Sequence, residues 1–337
     1  MPGTGSGRRA RPSTLTRDVE GSRRAAYAQL LLVTALFGGT WPAGKVAVDH
    51  LPPLTVATAR FVISSVLLLA LVRLRTHRLP LPARRDLPLV LALGLTGIAG
   101  YQTFFLLGLA RTPASDGAIL VPGLIPVFTM LLAWRLHGLR PTRRAAIGFA
   151  VALVGLVIVV DPTGGIGGGR LTGDVILIGA AVCWAVYTIL GPPALERFDP
   201  LVATTYASVV GTLALIPISI PGWGSLAHAG AAAWLAIIYL APLGTVLAFV
   251  LYYNGVRKLG ASRTAAFTLL VPVFGVASSI VVLGEPLRAG LAVGGAMVLV
   301  GLWLVQRAPA PLESRRRPRQ EPAAVPSPDC QEAHSRA

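Results

Sequence analysis

Ten apolar segments, each roughly 17–25 residues long, account for nearly all of the chain between residues 26 and 306. A run of that length is what an α-helix needs to cross the hydrocarbon core of a bilayer. Charged residues make up only 13% of the chain, whereas soluble domains usually contain about 25%. The sequence therefore predicts an integral membrane protein with ten transmembrane helices, at residues 26–48, 54–73, 87–110, 115–134, 145–161, 174–191, 201–220, 230–254, 263–283 and 287–306.

The distribution of positive charge predicts how these helices are oriented. The net charge is +16, and 25 of the 30 Lys and Arg residues fall in the tails and loops on the side where both termini lie, against three on the opposite side. Such a bias is expected when the basic side is cytoplasmic. The charge is therefore an orientation signal rather than a nucleic-acid-binding surface. It predicts a multi-pass protein of the bacterial cytoplasmic membrane with both termini in the cytoplasm.

The chain also contains an internal duplication. Prolines, glycines and short motifs recur at a separation of 147 residues up to the third span of each copy, and at 146 residues from the fourth span onward. A constant offset indicates a true repeat rather than the chance similarity of apolar segments. The pairs at 147 are Pro53-Leu54 with Pro200-Leu201, Gly97 with Gly244 and Gly108 with Gly255; those at 146 are Pro126-Val127-Phe128 with Pro272-Val273-Phe274, Gly138 with Gly284, Gly148 with Gly294 and Gly155 with Gly301.

Each copy contains five spans, so the second copy must cross the membrane in the opposite orientation to the first. The loops agree, because residues 135–144 are strongly basic and their counterpart at 283–288 is nearly uncharged. Inverted repeats are typical of secondary transporters, in which two similar units open a site at the bilayer midplane to each side in turn. The predicted order is a basic disordered tail at 1–25, a first repeat at 26–161, a Gly-rich linker at 162–173, a second repeat at 174–306 and a disordered tail at 307–337.

Taken together, the repeated motifs resemble the EamA-type branch of the drug/metabolite transporter superfamily. The resemblance covers residues 30–306 and rests on LIPVF…HG and LVPVFGVASSIVVLGEPL, on GFAVALVGLVIV and GGAMVLVGLWLV, and on LYYNGVRKLGAS. It implies an all-α membrane fold of ten helices in two inverted five-helix EamA repeats. In the family the fourth helix typically ends in Gly-Glu; the second copy keeps Gly284-Glu285, whereas the first has Gly138-Leu139. The role of that acidic residue is therefore missing from the first repeat.

Amphipathic side chains in the helices that line the central cavity, by this resemblance, are the candidates for substrate binding. Their rings and amides offer apolar contact together with neutral hydrogen-bonding groups, although a single aromatic residue in a membrane helix more often serves packing or the interfacial belt. The predicted lining consists of Trp41, Tyr101, Gln102, Trp184, Tyr187, Tyr253 and Asn254.

Lys45 and Arg60 are the basic residues within the predicted spans. A charge inside the membrane is a functional candidate by default, but a long side chain in the outer third of a helix can also extend to the interface. Lys45 is the preferred candidate, and if it faces the cavity it favours anionic or carboxylate-bearing substrates. Arg60 ranks below it.

Pro126 and Pro272 lie inside the fourth and ninth spans. A proline removes a backbone donor and bends the helix, so the pair is predicted to act as a hinge or to line the cavity, with ordinary transmembrane proline as the alternative.

The missing residue types limit the chemistry. The middle of each span lacks Asp, Glu and His, which proton-coupled carriers commonly use as relays, so a facilitator or exchanger is favoured. Cys183 and Cys330 form neither a disulfide framework nor a metal site, and the absence of paired carboxylates or an activated nucleophile predicts no catalytic residues, no metal and no cofactor.

The predicted function is export of small polar metabolites, with amino acids or related compounds as the preferred class, and multidrug efflux of amphipathic compounds as the alternative. The predicted partners are a small-molecule substrate and the lipid bilayer, not nucleic acid, with a homodimer as a further candidate.

Overall fold

A computed structural model describes residues 14–77, 81–160 and 168–309, and these residues are almost entirely helical. Nine helices within them are long and apolar enough to cross a bilayer, and a further apolar helix is shorter. The predicted all-helical membrane fold is confirmed. In chain order the helices are α1 (Thr14–His50), α2 (Pro53–Thr76), α3 (Arg84–Leu109), α4 (Ala114–His137), α5 (Arg143–Val160), α6 (Gly168–Leu195), α7 (Pro200–Ser219), α8 (Ala231–Leu259), α9 (Ala261–Phe267 followed by Leu270–Leu283) and α10 (Ala289–Gln306).

Two helix starts differ from the prediction. α1 begins at Thr14, so residues 14–25 are helical where a disordered tail was predicted. Adding residues to an existing helix avoids the cost of nucleation, so a stable membrane helix can continue into a polar stretch. α6 begins at Gly168, within the predicted linker, and a buried ion pair between Arg170 and Asp116 holds this first turn. The remaining linker and most of both tails lie outside the described residues.

The helices of the two copies are interleaved rather than packed as separate five-helix units. α1 packs along the second segment of α9, and α6 packs along α4, so the first helix of each copy lies against the fourth helix of the other. α2 packs on α7 and α5 on α10, each against its own counterpart. Ser65 and Thr212 occupy equivalent positions at the offset of 147, and their hydroxyl oxygens lie 2.9 Å apart. These reciprocal contacts are what a two-fold relation between inverted repeats produces.

The seam between α5 and α10 is built from the glycines of the duplicated motif. A Cβ atom on Gly155 would lie 2.6 Å from the carbonyl oxygen of Gly294, and one on Gly148 would lie 2.7 Å from that of Gly301. Each pair therefore brings two backbones into direct contact, as small residues do at helix crossings in membranes. These glycines serve packing rather than a binding site.

The duplicated glycine after each proline motif ends a helix. Gly138 follows α4 with φ of 71°, and Gly284 follows α9 with φ of 66°, a left-handed conformation that favours glycine. In both, the glycine N–H donates to the carbonyl four residues earlier, on Trp134 and Ile280 respectively. The shared spacing in the sequence thus reflects the same helix termination in both copies.

Three helices depart from regular α geometry. α3 contains a π-helical segment at Leu95–Gly100 and α8 one at Tyr239–Leu247; shifted by 147 residues, the first falls inside the second. Such segments are rare and often occur at functional sites. α9 is broken between Phe267 and Leu270, just before Pro272, whose ring excludes the carbonyl one turn earlier. α4, by contrast, continues unbroken through Pro126, so the two predicted hinge prolines have different local structures.

Candidate functional site

Four of the predicted lining residues lie in one aromatic cluster, which we define as Trp41, Tyr101, Phe105, Trp184 and Tyr187. Ring centroids are 4.9 Å apart for Trp41 and Phe105, 5.7 Å for Phe105 and Tyr101, 4.8 Å for Tyr101 and Trp184, and 5.3 Å for Trp184 and Tyr187. The rings come from α1, α3 and α6 and therefore from both repeats. Phe105 was missed by sequence reasoning, although it follows Tyr101 by one helical turn on the same face.

Glycines on the neighbouring helices make room for these rings. A Cβ atom on Gly97 in the π segment of α3 would lie 2.7 Å from Cε2 of Tyr187, and one on Gly117 of α4 would lie 2.7 Å from Cζ3 of Trp41. Gly100 approaches Cys183 of α6 in the same way, with 3.0 Å to its sulfur. Small residues at these points allow α3, α4 and α6 to pack closely around the aromatic cluster.

A polar centre adjoins the aromatic cluster, and we define it as Arg60, Gln102 and Thr245. Arg60 Nη1 donates to Oε1 of Gln102 at 3.3 Å, while Nε and Nη2 both donate to Oγ1 of Thr245, at 3.3 and 3.0 Å. Arg60 is 6% exposed and Gln102 3%. Gln102 directly follows Tyr101 in α3, and Tyr101 belongs to the aromatic cluster.

The position of Arg60 shows that it does not extend to the membrane interface. It follows the first residue of α2 by seven positions, roughly 10 Å along the helix axis, and its guanidinium contacts α3 and α8. The sequence analysis ranks Arg60 below Lys45 as a candidate for substrate contact, because position along a helix does not reveal which face of the helix the side chain occupies. The available signal was Ser64 one turn later, whose hydroxyl contacts the α8 carbonyl of Ala241 at 3.5 Å.

Lys45 lies nearer the end of its helix and has local partners. Its Nζ atom is 3.2 Å from Oδ1 of Asp49 on the next turn of α1 and donates to the carbonyl of Leu109 at 3.1 Å. Its charge is therefore balanced within the protein. A role for Lys45 in substrate binding stays a prediction.

The remaining predicted lining residues lie on the second half of α8. Asn254 is half-buried and follows Thr245 by nine positions, roughly 14 Å along the axis. The side chain of Tyr253 lies outside the described part of the structure.

Charged residues form a network at the distal end of the bundle, which we define as the end opposite the start of α1 and the end of α10. Asp116 accepts a hydrogen bond from Arg170 Nε at 2.8 Å and pairs with Arg288 through its other oxygen. Its side chain is 1% exposed, as against 8% for Arg170 and 34% for Arg288. Nearby, Thr112 donates to Asp174 at 2.6 Å. The network joins α4, α6 and the segment before α10.

Glu285, the acidic residue retained in the second repeat, lies in the same region. Its Oε1 accepts from the backbone N–H of Ala114 at 2.7 Å and its Oε2 from that of Ser115 at 2.9 Å. These are first-turn donors of α4 that have no partner inside the helix, and a carboxylate there also interacts favourably with the helix dipole. Glu285 thus caps the fourth helix of the opposite repeat. Its counterpart at the offset of 146 is Leu139, which cannot act in this way.

An apolar groove of about 640 Å³ lies between α1, α8 and α9. Its lining includes Pro42, Val46, Phe274 and Val281, with Tyr239 as one of few polar groups. Val281 is 83% exposed, so the groove opens on the surface that the fold presents to the bilayer. It is separate from the polar centre.

Both predicted repeats match the family model described as "EamA-like transporter family", over residues 24–161 and 171–307, which confirms the resemblance drawn from the motifs. "Uncharacterized transporter YyaM" of Bacillus subtilis is 29% identical over 285 residues, covering 82% of this chain and 92% of that protein. A protein of Streptantibioticus cattleyicolor named "Probable terminal-alkyne amino-acid exporter" is 30% identical, with 82% and 92% covered. A crystal structure that is 20% identical shares the fold with a TM-score of 0.60, covering 83% of this chain and 98% of that one.

Proposed function

The chain belongs to the EamA-like transporter family, and on that basis we propose that it is a secondary transporter of the cytoplasmic membrane that exports amino acids or related small polar metabolites. One observation supports this most directly. The polar centre and the aromatic cluster adjoin each other inside the bundle, and both draw residues from the two inverted repeats. A site shared by two repeats can be exposed to either side as the repeats move.

The chemistry of this region suits a small polar solute with an apolar part. Burying the polar atoms of Arg60 and Gln102 inside a membrane protein costs free energy, which makes these residues candidates for function. Tyr101 and Trp184 offer ring faces for an aliphatic or aromatic side chain of the solute. The relative named as an amino-acid exporter supports the same substrate class.

The two ends of the bundle differ in a way that supports alternating access. At the distal end, Asp116 and Glu285 tie the repeats together. At the opposite end, Leu139 stands at the position equivalent to Glu285, and Ser262 or Arg263 at that of Asp116. Without carboxylates at these positions, the described residues near the termini show no counterpart of these two links, and the repeats are joined there by Asp86 and Arg197 at 2.7 Å. Arg197 is half exposed, so this pair adds less stability than a buried one. We infer that this end opens at lower cost, which suits loading from the cytoplasm if both termini lie there.

Efflux of amphipathic compounds remains the second candidate because of the apolar groove. Its lining and its exposure to the bilayer fit a compound that enters from the membrane. A carrier of this type would not need the buried guanidinium of the polar centre.

Counterflow into vesicles containing the purified protein distinguishes the two functions. Vesicles loaded with an unlabelled mixture of L-amino acids are expected to accumulate a labelled amino acid, whereas vesicles loaded with an amphipathic cationic dye are not expected to exchange that dye. Trp184→Ala should reduce the amino-acid flux, and Trp234→Ala serves as the matched control because Trp234 is an exposed tryptophan of α8. Exchange of the dye alone would contradict the proposal and favour efflux. Reporter fusions at both ends test the orientation, and an external terminus would contradict it.

A further inference from the structure

Arg60 is a buried charge for which the protein supplies only neutral partners. Among the described residues no carboxylate lies within 4.0 Å of its guanidinium. Its hydrogen-bond acceptors are the amide oxygen of Gln102 and the hydroxyl oxygen of Thr245, and the ring of Phe61 lies 5.2 Å from its central carbon. Neutral dipoles reduce the cost of burying a guanidinium but do not balance its charge.

The buried residues Arg170, Asp116 and Asp86 each have a charged partner, whereas the buried Asp174 beside the distal network accepts a hydrogen bond from Thr112. Arg170 pairs with Asp116 at 2.6 Å, and Asp86 pairs with Arg197 at 2.7 Å. Lys45, the other basic residue that the sequence placed within a span, has Asp49 on its next helical turn. Arg60 departs from this pattern at the position in the bundle where both repeats meet, which is where a substrate would be held.

The Arg60 edge that carries the Nε and Nη2 donors is not occupied by a group with two acceptor oxygens. The Nε and Nη2 donors point along one edge of the guanidinium, and a carboxylate fits that edge with one oxygen for each donor. In the structure both donors share the single Oγ1 atom of Thr245, at 3.3 and 3.0 Å. The Thr245 hydroxyl in turn donates to the carbonyl of Leu240 within the π segment of α8. A neutral hydroxyl therefore occupies the place suited to an anion with two oxygens.

We propose that Arg60 is the residue that binds the carboxylate of the transported solute, with the two carboxylate oxygens replacing Thr245 at the Nε and Nη2 donors. This rests on the proposed function, which it deepens by naming the chemical group that the site recognises. The rest of the solute would lie toward Tyr101 and Trp184, whose rings are 4.8 Å apart.

Displacement of the Thr245 hydroxyl by the substrate carboxylate has a consequence for transport. Arg60 belongs to the first repeat and Thr245 to the second, so their hydrogen bonds connect the repeats. A carboxylate that takes over these donors removes that connection and balances the charge at the same time. Substrate binding and movement of the repeats are thereby coupled at one residue.

The test compares acids with amides on the purified full-length protein. L-Alanine, L-leucine and L-phenylalanine are each titrated against the corresponding amino-acid amide, with thermal stabilisation and tryptophan fluorescence as readouts. A ligand that binds only the folded state raises its apparent stability. At least one acid is expected to bind roughly tenfold or more tightly than its amide, since the amide lacks the charge. Equal binding of acid and amide, or no binding of any of the acids, would overturn the proposal.

Variants of the polar centre identify the residue responsible. Arg60→Gln should abolish the preference for the acid, and Arg60→Lys should restore part of it. Arg75→Gln is the matched control, because Arg75 is an exposed arginine at the other end of α2. A preference that survives in Arg60→Gln but is lost in Lys45→Gln would assign the carboxylate to Lys45 and overturn the proposal.

Gln102→Glu covers the case in which Arg60→Gln does not fold. It retains Arg60 and places a carboxylate about where the amide oxygen now accepts a hydrogen bond at 3.3 Å. We expect it to raise the melting temperature and to weaken binding of the acids by roughly tenfold or more, since an internal counter-ion then competes with the ligand. Unchanged binding of the acids would contradict the proposal.

The counterflow assay separates this proposal from the proposed function. If amino acids are exchanged but their amides compete equally and Arg60→Gln retains the wild-type selectivity, the transport function stands and the carboxylate site is wrong. If acids bind through Arg60 but no amino acid is exchanged, the site stands and amino-acid export is wrong.

Discussion

The substitution Asp116→Asn tests whether the distal network stabilises the fold. Asp116 is fully buried and its partner Arg170 is nearly so, whereas Arg288 is about one-third exposed. Removing one partner of a buried ion pair costs about 3–5 kcal/mol, because the other charge remains uncompensated. The exposed pair adds at most about 1 kcal/mol, since solvent replaces it. Asparagine has nearly the same shape as aspartate, so packing changes little, and the expected loss in the free energy of unfolding is about 3–6 kcal/mol.

Unfolding of purified variants in mixed detergent micelles measures this loss. Arg170→Gln provides the second arm of a double-mutant cycle, and the double variant should lose less than the sum of the single losses, with a coupling of about 1–3 kcal/mol. Arg111→Gln is the control at the same end of the bundle, because within the described structure its exposed guanidinium donates to the carbonyl of Leu107 on its own helix. It should change stability by no more than about 0.5 kcal/mol.

Two results would refute this reasoning. A loss for Asp116→Asn no larger than that for Arg111→Gln would show that the network adds no stability. Strictly additive losses for Asp116→Asn and Arg170→Gln would show that the two residues act separately despite the 2.6 Å between their charged atoms.

Three further predictions concern the glycine seam, the proline motif and the driving force. Gly155→Ala should destabilise the protein by about 1–3 kcal/mol, because the added Cβ would press on the backbone of Gly294. Gly191→Ala is the control and should be neutral or stabilising, since a Cβ at that position would lie in open space. Equal melting temperatures of the two variants would contradict this. Pro272→Ala should lower the counterflow rate while changing the melting temperature little, because Pro272 follows the break in α9. A wild-type counterflow rate would contradict a hinge there. Counterflow should change little when a pH gradient is imposed, since the sequence lacks carboxylates and histidines in mid-span, and strong acceleration would show proton coupling.

Much of the candidate site could be predicted from residue type and helix membership. Trp41, Tyr101, Trp184 and Tyr187 are polar-tipped aromatic residues on helices expected to line a cavity, and the structure places them in one cluster. Gln102 is an uncharged hydrogen-bonding group that needs a partner inside the membrane, and it has one in Arg60. The residue types follow from local chemistry, which a sequence displays directly, and the choice of helices follows from the family resemblance.

The position of Arg60 and the role of Glu285 could not be predicted in the same way. The partner of Arg60 on α8 is 185 positions away in the chain, and Glu285 caps a helix that begins 171 positions before it. Neither separation follows from the duplication, because neither equals the offset of 146 or 147 that relates equivalent residues. The π segments could not be predicted either, since a π turn changes backbone hydrogen bonding without altering the hydropathy by which a span is recognised.

The sequence by itself determined the number of spans, their inverted duplication and the repeated glycines that end α4 and α9, because a bilayer imposes length and hydropathy on each helix separately. Only the tertiary structure decided which buried charges have partners. Asp116 receives two arginines and Arg60 receives neutral groups, and this difference depends on how the helices are rotated and interleaved. Helix rotation in a membrane is set by packing against neighbours rather than by hydrophobicity, so the lack of a charged partner for Arg60 among the described residues appears only when the helices are packed together.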